Sequence, residues 1–337
     1  MTSIYETLKN ADDRLDESLR PSRISEFIGQ RALIENLSLY IKAAKKRQEP
    51  LDHVLFCGQP GLGKTTLARL IAGELGVGIK ETSGPVLERA GDLVGILTSL
   101  QANDVLFIDE VHRLSATVEE YLYSAMEDGF VDVMLDSGPA ARSVRIDLKP
   151  FTLVGATTRE GMLSSPFRAR FGVLERVQPY PVDEVATILR RSAAILGVGI
   201  AGDAATLLAD RSRGTPRVAN RILRRVRDVA QVKGDGTITL LIADDGLERL
   251  GIDAHGFTSL DRSIIDVLGR HRGGPLGLKT IAMAVGEEED TIEDVYEPFL
   301  VQQGVLAKTP RGRMLTPHGM TLAGVDAKSA RERGELF

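Results

Sequence analysis

The stretch Gly58-Gln59-Pro60-Gly61-Leu62-Gly63-Lys64-Thr65 decides the fold of the first half of the chain. It follows the apolar run Val54-Leu55-Phe56-Cys57 and precedes an amphipathic stretch, residues 67–75, so it links a buried strand to a helix. Glycines let the backbone wrap closely around an anion, and the N-terminal end of the following helix attracts the same anion. A GxxxxGK[ST] sequence in this position is a phosphate-binding P-loop, and it predicts an α/β domain that binds a nucleotide. A chance glycine-rich turn would need neither the strand nor the helix.

The P-loop assigns the parts of a bound ATP to particular residues. Its backbone N–H groups would face phosphate oxygens, and the ammonium group of Lys64 would bridge the β- and γ-phosphates. The hydroxyl of Thr65 would ligate Mg²⁺, so ATP and Mg²⁺ are the predicted cofactors. The predicted nucleotide-binding residues of the loop are Gly61, Leu62, Gly63, Lys64, Thr65 and Thr66.

Two carboxylates follow the next buried strand. Residues 105–108 are apolar, and Asp109 and Glu110 come directly after them. At the carboxyl edge of a parallel sheet such residues face the ligand. Asp109 would hold Mg²⁺ through water, and Glu110 would act as the general base on the attacking water. The alternative is that the two acids only begin a surface loop, and the P-loop in the same chain argues against it.

A third strand, residues 151–155, leads into two threonines, Thr157 and Thr158. A hydroxyl at this edge would hydrogen-bond the attacking water or the γ-phosphate. The sequence favours Thr158 for this sensing and leaves Thr157 as a competitor. Beyond them lie Arg168 and Arg170, which form either a solvated surface or an arginine finger that serves a neighbouring subunit.

The domain organisation follows from changes in pattern along the 337 residues. Residues 1–20 are polar and are predicted to be a flexible lead-in. Residues 21–181 alternate apolar strands with amphipathic helices, which indicates a largely parallel sheet between helices, with a β-hairpin inserted at about residues 131–148. Residues 182–252 show helical periods without strand-like runs and predict a small helical domain. Residues 253–337 predict three helices followed by a two-stranded hairpin, which is a winged helix.

Composition excludes several classes of protein. The chain has 42 Lys and Arg against 47 Asp and Glu, a net charge of −5, which argues against a surface that is basic throughout and holds nucleic acid everywhere. Cys57 is the single cysteine, so the chain has neither an internal disulfide nor a multi-cysteine zinc site. A signal-peptide start and an apolar run of about 18 residues are both missing from the sequence. These features predict a cytoplasmic protein without a membrane span.

The wing of the predicted winged helix carries a local basic patch. No carboxylate occurs between Glu297 and Asp326, and this interval contains Lys308, Arg311 and Arg313. A local positive field of this kind is what contact with the DNA backbone requires. The alternative is an ordinary solvated β-turn.

Four motifs together resemble those of the AAA+ ATPases, and more narrowly those of the RuvB family, the bacterial Holliday-junction branch-migration motors. They are residues 58–66, residues 106–114, residues 153–159 and Gly214-Thr215-Pro216-Arg217. The resemblance covers nearly the whole chain. It implies an AAA+ P-loop domain, a helical lid and a C-terminal winged helix. The implied activity is ATP hydrolysis that drives DNA translocation by a helicase subunit, in homologous recombination and DNA repair.

The resemblance also implies partners. Similar proteins form hexameric rings on Holliday-junction and duplex DNA, and they work with RuvA and, for resolution, with RuvC. RuvA would dock on the β-hairpin, where the apolar side chains of Val133 and Leu135 suit an interface. The wing residues Lys308, Arg311 and Arg313 would contact DNA.

Roles at the nucleotide are implied residue by residue. Asp109 and Glu110 match the Walker B pair, and Thr158 matches sensor 1. Arg170 matches the arginine finger that enters the adjacent subunit's site, and Arg217 matches the sensor 2 arginine, which acts in its own chain. The further residues that accompany the nucleotide in similar proteins are Leu19, Arg20, Glu127, Asp128 and Tyr180.

Two other functions are compatible with parts of this pattern. Another AAA+ ATPase of DNA replication, such as a clamp-loader subunit or an initiator, shares the P-loop, and a winged helix also occurs in initiators. A non-catalytic nucleotide switch would share the P-loop too, but it has little need for a water-activating base such as Glu110.

Overall fold

The computed structural model describes residues 17–134 and 143–325. The chain divides into two compact units, residues 1–184 and residues 185–337. Leu135, which the sequence assigns to partner binding, lies outside the described residues, as do the first 16 residues and the last 12. None of the described helices is long and apolar enough to cross a membrane.

A five-stranded parallel sheet forms the centre of the first unit. Its strands are β1 (Val54–Cys57), β2 (Ile79–Ser83), β3 (Val105–Asp109), β6 (Thr152–Thr157) and β7 (Val173–Arg176). Their order across the sheet is β2-β3-β6-β1-β7. The strands β1 and β6 are buried along their whole length, which is why they appear in the sequence as continuous apolar runs. Because β6 lies between β3 and β1, the segments that follow these three strands meet at the carboxyl edge of the sheet.

The helices of the first unit cover the sheet with apolar faces. They are Arg31–Arg47, Lys64–Leu75, Ala90–Ser99, Ala116–Glu127 and the short helix Ser165–Ala169. The helix Ala116–Glu127 begins at Ser115, whose hydroxyl accepts a hydrogen bond from the Val118 amide. Its buried residues Val118, Leu122 and Ala125 recur at helical spacing and join the core with Phe167.

The predicted lead-in is ordered at its described end. Glu17 forms an ion pair with Arg69 (2.6 Å), and the side chain of Leu19 is only 3% exposed. The segment that the sequence predicts to be a flexible lead-in therefore makes defined contacts from residue 17 onward. The polar composition of its neighbours in the sequence does not indicate that Leu19 is buried.

The inserted hairpin consists of β4 (Phe130–Met134) and β5 (Ser143–Asp147), which pair antiparallel. Val131 is fully buried, and Val133 packs partly against the same core. Val144, which lies opposite Val133, is 44% exposed. The apolar face of the hairpin thus starts in the core and continues outward into solvent.

The lid at the start of the second unit is mainly helical. Its helices are Val182–Ile195, Gly202–Asp210, Pro216–Lys233 and Leu240–Arg249. Two short strands, β8 (Gly199–Ile200) and β9 (Thr237–Ile238), also pair there in parallel. The small helical domain is as the sequence predicted, and these two-residue strands are too short to show a period in the sequence.

The winged helix follows the lid in the same unit. The helices Ser259–Arg270 and Leu278–Val285 precede a third helix, which comprises Glu289–Thr291, a five-residue π-helical segment Ile292–Tyr296, and Glu297–Gln302. The wing is β10 (Leu306–Thr309) paired antiparallel with β11 (Gly312–Leu315), and a last helix spans Pro317–Leu322. Ile264, Ile265, Leu268 and Leu300 form the centre of its core.

A buried ion pair joins the lid to the winged helix. Arg213, in the lid, binds Asp261, whose carboxylate is inaccessible to solvent, and its guanidinium lies 4.2 Å from the ring centroid of Phe299. Removing one partner of such a pair leaves a buried charge uncompensated, which destabilises a protein strongly. The two parts of the second unit are therefore held together at the turn that precedes Arg217.

Candidate active site

The P-loop adopts a conformation that only glycine accepts at several positions. Gly58, Gly61 and Gly63 have φ angles of 151°, 79° and 102°. A Cβ atom on Gly58 would lie 2.5 Å from the carbonyl oxygen of Val177, so this position excludes any side chain. The loop is thereby shaped closely enough for its amides to approach an anion.

The helix Lys64–Leu75 begins directly at the P-loop. Its N-cap residue is Gly63, which offers no capping side chain, so the first N–H groups of the helix can point toward a phosphate. Lys64 is 6% exposed, and its Nζ donates hydrogen bonds to the carbonyls of Gly58 (2.7 Å) and Gln59 (3.0 Å). Burial lowers the pKa of Lys64, while the charges of Glu110 and Asp109 act in the opposite direction. Lys64 therefore interacts electrostatically with both acids.

Asp109 ends β3, and Glu110 follows it with a φ of 49°. A left-handed backbone is unusual for glutamate and is typically retained where the surrounding structure fixes it, often at functional sites. The Asp109 carboxylate accepts a hydrogen bond from the Glu110 amide (3.0 Å). This hydrogen bond links the Asp109 side chain to the backbone of the turn that carries Glu110.

Three groups hold the Glu110 carboxylate. The amide and the hydroxyl of Thr158 donate to its Oε2 at 3.3 Å and 3.2 Å. The Nδ1 of His112 lies 3.1 Å from the same oxygen. Glu110 is thus tied to the end of β6, across the strand pair that brings the second and third motifs together.

The two threonines after β6 have different surroundings. Thr157 is fully buried; its hydroxyl lies 3.0 Å from Nδ1 of His112 and accepts a hydrogen bond from the Arg159 amide. Thr158 is less buried, and its hydroxyl reaches Glu110 directly. Of the two hydroxyls, that of Thr158 contacts the Glu110 carboxylate, whereas that of Thr157 contacts His112.

An aromatic residue from outside the motifs closes the P-loop. The hydroxyl of Tyr180 donates to the carbonyl of Leu62 (3.3 Å), and its ring would collide with any side chain at Gly29. Burial, followed by the charge of Glu184, raises the pKa of the Tyr180 hydroxyl, so this group remains a neutral donor. Phe27 also approaches the loop, since its ring lies 3.6 Å from the position of a Cβ on Gly63. The sequence did not indicate Phe27, because nothing in its local pattern separates it from a core residue.

Arg170 lies at the opposite edge of the sheet. It lines a cavity with Asp52 and Phe151, which are next to the amino ends of β1 and β6, and with Glu127 at the end of its helix. A six-residue strand such as β6 is about 17 Å long, so Arg170 is far from the P-loop of its own chain. Its guanidinium pairs with Glu127, and its Nε is buried without a hydrogen-bond partner among the described residues.

The remaining predicted nucleotide residues are placed as follows. Asp128 is exposed beside Glu127, at the C-terminal end of the same helix. Arg217 is exposed in the first turn of the helix Pro216–Lys233 in the second unit. Leu19 is buried and Arg20 is partly buried in the first unit. The structure thus collects the P-loop, Asp109, Glu110, Thr158 and Tyr180 at one edge of the sheet, with Glu127, Asp128 and Arg170 at another place.

Magnesium fits this site through few protein ligands. The residues positioned for it are Thr65, at the second position of the helix after the P-loop, and Asp109 at the end of β3. Within residues 17–134 and 143–325, no group of three or more His, Cys, Asp or Glu side chains could hold a metal ion. A hydroxyl, a carboxylate, waters and substrate phosphates form the octahedral oxygen set that Mg²⁺ prefers.

Family models of known proteins match nearly the whole chain. Residues 19–177 match the family model of the Holliday junction DNA helicase RuvB P-loop domain. Residues 180–253 match the RuvB AAA lid domain, and residues 254–323 match the RuvB C-terminal winged helix domain. This chain belongs to the RuvB family.

Individual relatives show how close the similarity is. The Holliday junction branch migration complex subunit RuvB of Myxococcus xanthus is 58% identical over 315 residues, which is 93% of this chain and 92% of that protein. The solved structure of the Thermotoga maritima RuvB Holliday junction branch migration motor is 49% identical. It matches with a TM-score of 0.83, over 92% of this chain and 99% of that one. These matches confirm the predicted AAA+ domain, lid and winged helix.

The wing of this RuvB-family chain differs electrostatically from what the sequence suggested. Lys308 binds Glu297 (2.6 Å) and Glu293 (3.2 Å), and Arg313 binds the same two carboxylates at 2.6 Å and 3.2 Å. The Glu297 side chain is 1% exposed, and its hydrogen bonds are the main cause that raises the pKa of Arg313. Two of the three basic side chains are therefore neutralised by the helix that precedes the wing.

Arg311 is the exception in the wing. It is exposed at the turn between β10 and β11, and it pairs with no carboxylate in the described part of the chain. In the sequence, Arg311 cannot be told apart from Lys308 and Arg313. The acids that neutralise Lys308 and Arg313 lie outside the interval without carboxylates. In a member of the RuvB family, Arg311 is thus the wing residue whose charge is available to a phosphate.

Proposed function

We propose that this chain is the ATP-driven motor subunit of a Holliday-junction branch-migration complex, a helicase subunit of homologous recombination and DNA repair. The observation that carries the proposal is the complete hydrolytic set at the P-loop, with Glu110 held by Thr158, in the same chain as a winged helix. We also propose that the protein acts in the cytoplasm, because recombining DNA lies there in bacteria.

The roles at the nucleotide follow from the contacts of the site. Lys64 exchanges its carbonyl partners for the β- and γ-phosphates, and the P-loop amides bind the phosphate oxygens. Thr65 and Asp109 would hold Mg²⁺, which would supply positive charge to the phosphates when bound. Glu110 takes the proton of the attacking water, while Thr158 orients that water against the γ-phosphate. Arg217 is proposed as the arginine of the lid that reads the nucleotide.

Arg170 completes the site of a neighbouring subunit. Its position at the edge of the sheet opposite to the P-loop removes it from the nucleotide of its own chain. In a closed head-to-tail ring, each subunit presents one edge to the other edge of its neighbour. We therefore propose a homohexamer in which Arg170, with Glu127 and Asp128 beside it, faces the nucleotide held by the next subunit.

The winged helix and the hairpin supply the remaining partners. Arg311 contacts the DNA backbone without reading bases, as a motor that moves along any sequence requires. The apolar face of the hairpin, which includes Val133 and the exposed Val144, binds RuvA. RuvC joins the same complex when the junction is resolved.

The test compares DNA substrates. We expect ATPase stimulation by a four-way junction with RuvA that clearly exceeds the stimulation by linear duplex of equal length, together with ATP-dependent dissociation of the junction. An equal response to primed linear template and to the junction, without a requirement for RuvA, would instead favour a clamp-loader or initiator activity.

The wing gives a prediction on DNA affinity. Replacing Arg311 with alanine should weaken binding to all sequences and reduce the slope of log K against log salt by about 1, since one phosphate contact is lost. Fluorescence anisotropy with duplex DNA over a range of salt concentrations measures both quantities. Lys308→Ala is the matched control and should change the slope less, because Lys308 already pairs with Glu297. Equal slopes for Arg311→Ala and the parent chain would remove Arg311 from the interface.

The hairpin gives a prediction on the partner. Val144→Glu should leave basal ATP hydrolysis unchanged and remove its stimulation by RuvA, because a carboxylate would be buried in an apolar contact. Asp147→Asn changes the opposite face of β5 and should retain the stimulation. A pull-down with RuvA measures binding directly, and undiminished capture of Val144→Glu would exclude this face as the docking surface.

A further inference from the structure

Tyr123 stands beneath the proposed arginine finger. It lies on the helix Ala116–Glu127, and the guanidinium of Arg170 is 4.7 Å from the centroid of its ring. A guanidinium at this distance over an aromatic face is attracted by the ring electrons. Neither the motifs in the sequence nor the family resemblance singled out this tyrosine.

The hydroxyl of Tyr123 binds the start of the segment that carries Arg170. It lies 2.6 Å from the hydroxyl of Ser164 and donates to the carboxylate of Glu119 at 2.5 Å. Ser164 is the N-cap of the helix Ser165–Ala169, and its hydroxyl accepts a hydrogen bond from the Phe167 amide. Tyr123 therefore contacts both ends of this short helix, Ser164 through its hydroxyl and Arg170 through its ring.

The other contacts of Arg170 do not fix the direction of its guanidinium. Its Nη1 donates to the carbonyl of Pro166 (2.9 Å), and its Nη2 pairs with Glu127, whose side chain is 60% exposed. An exposed carboxylate can turn with the side chain that it binds, whereas Tyr123 is fixed against Phe167, which is fully buried (ring centroids 5.7 Å apart). Among these contacts, the ring is the rigid surface.

We propose that Tyr123 is the positioning residue of the arginine finger: it fixes the helix that presents Arg170 and supports the guanidinium for insertion into the neighbouring subunit. The inference rests on the proposed role of Arg170 in the adjacent site. Positioning has a large effect in such sites, because a displacement of about 1 Å costs roughly 100-fold in rate. Loss of the ring should therefore lower the rate in the neighbouring subunit rather than in the subunit that is changed.

Rings mixed from two kinds of subunit show whether Tyr123 affects hydrolysis in the neighbouring subunit or in its own. A Lys64→Ala subunit cannot hydrolyse ATP but keeps its finger, and an Arg170→Ala subunit lacks the finger but keeps its P-loop. Co-assembly of the two should recover part of the hydrolysis, and this recovered rate is the reference. Tyr123→Leu is then added either to the Lys64→Ala subunit, which donates the finger, or to the Arg170→Ala subunit, which receives it.

We expect an asymmetric result. Tyr123→Leu in the donor should reduce the recovered rate at least ~10-fold, and the same change in the receiver should leave it within about twofold. Tyr123→Phe in the donor keeps the ring and should retain more of the rate than Tyr123→Leu. If Tyr123→Leu rings do not assemble by size-exclusion chromatography, Tyr123→Met, which preserves the volume, takes its place with the same expectations.

Any other outcome contradicts either the inference on Tyr123 or the assignment of Arg170 as the finger. An equal loss in donor and receiver would show that Tyr123 acts only in folding, and no loss in the donor would show that the finger does not need it. Both results overturn the inference and leave the finger assignment intact. If Lys64→Ala and Arg170→Ala subunits fail to recover any hydrolysis together, although both assemble, the trans-acting finger itself is refuted, and the inference with it.

Discussion

Rings of the Glu110→Gln variant should hydrolyse ATP at least ~100-fold more slowly than the parent chain, while they retain ATP binding. Glutamine has nearly the shape of glutamate and can still accept the hydrogen bonds from the amide and hydroxyl of Thr158. The turn after β3 is therefore expected to persist. What is lost is the negative charge that takes a proton from the attacking water.

Two measurements separate binding from chemistry. Equilibrium binding of a fluorescent ATP analogue reports the affinity, and steady-state phosphate release reports turnover. Glu175→Gln makes the same chemical change on the edge strand β7 and serves as the control that should hydrolyse normally. Equal turnover by Glu110→Gln and the parent would refute the assignment of the base, and a parallel loss of ATP binding would show that Glu110 holds the nucleotide instead.

The three motifs lie together at the carboxyl edge of the sheet, as the sequence predicted, and the reason is physical. The P-loop, the acids after β3 and the threonines after β6 are each contiguous, and each follows an apolar strand whose burial is visible in composition. Parallel strands place their carboxyl ends at one edge, so the three motifs had to meet. Strand β1 has the residues expected from the apolar run.

The parts that the sequence did not predict depend on partners that are distant along the chain. Lys308 and Arg313 belong to a stretch without carboxylates, but Glu293 and Glu297 reach them from the preceding helix. Charge counted along a segment cannot show which side chains meet in space. The positive φ of Glu110 is a further case, because only the folded turn requires it.

Tyr123 was missed for a different reason. On a buried helix with apolar residues at regular spacing, a tyrosine near Leu122 fits the core pattern. Its importance comes from the Ser164–Arg170 segment, about forty residues later, which only the fold brings against it. The arginine itself was visible in the sequence, whereas the surface that supports it was not.

The second large effect is expected at Arg170. Arg170→Ala should lower hydrolysis by about 1,000-fold without loss of ATP binding, because an arginine finger stabilises charge that develops on the γ-phosphate only in the transition state. The P-loop, Glu110 and Thr158 remain intact in this variant. Because Arg170 lies beside the amino ends of β1 and β6, we expect the affected nucleotide to be the one held by the neighbouring subunit.

Arg168→Ala tests whether the effect belongs to this one arginine. Arg168 lies on the same short helix, but it binds Glu160 of its own chain at 3.6 Å, so its loss should leave hydrolysis within about twofold of the parent, as for most exposed ion pairs. The two variants lose the same charge. They differ because Arg170 lies over the ring of Tyr123, whereas Arg168 pairs with Glu160. A ring that loses hydrolysis with Arg168→Ala and keeps it with Arg170→Ala would transfer the finger to Arg168.

Unassembled Arg170→Ala subunits that hydrolyse ATP as fast as parent rings would show that no residue of a neighbour is required. Because Arg170 is proposed to act in the neighbouring subunit, we expect the deficit of Arg170→Ala to depend on ring assembly, and dilution of parent rings below their assembly concentration should reproduce it.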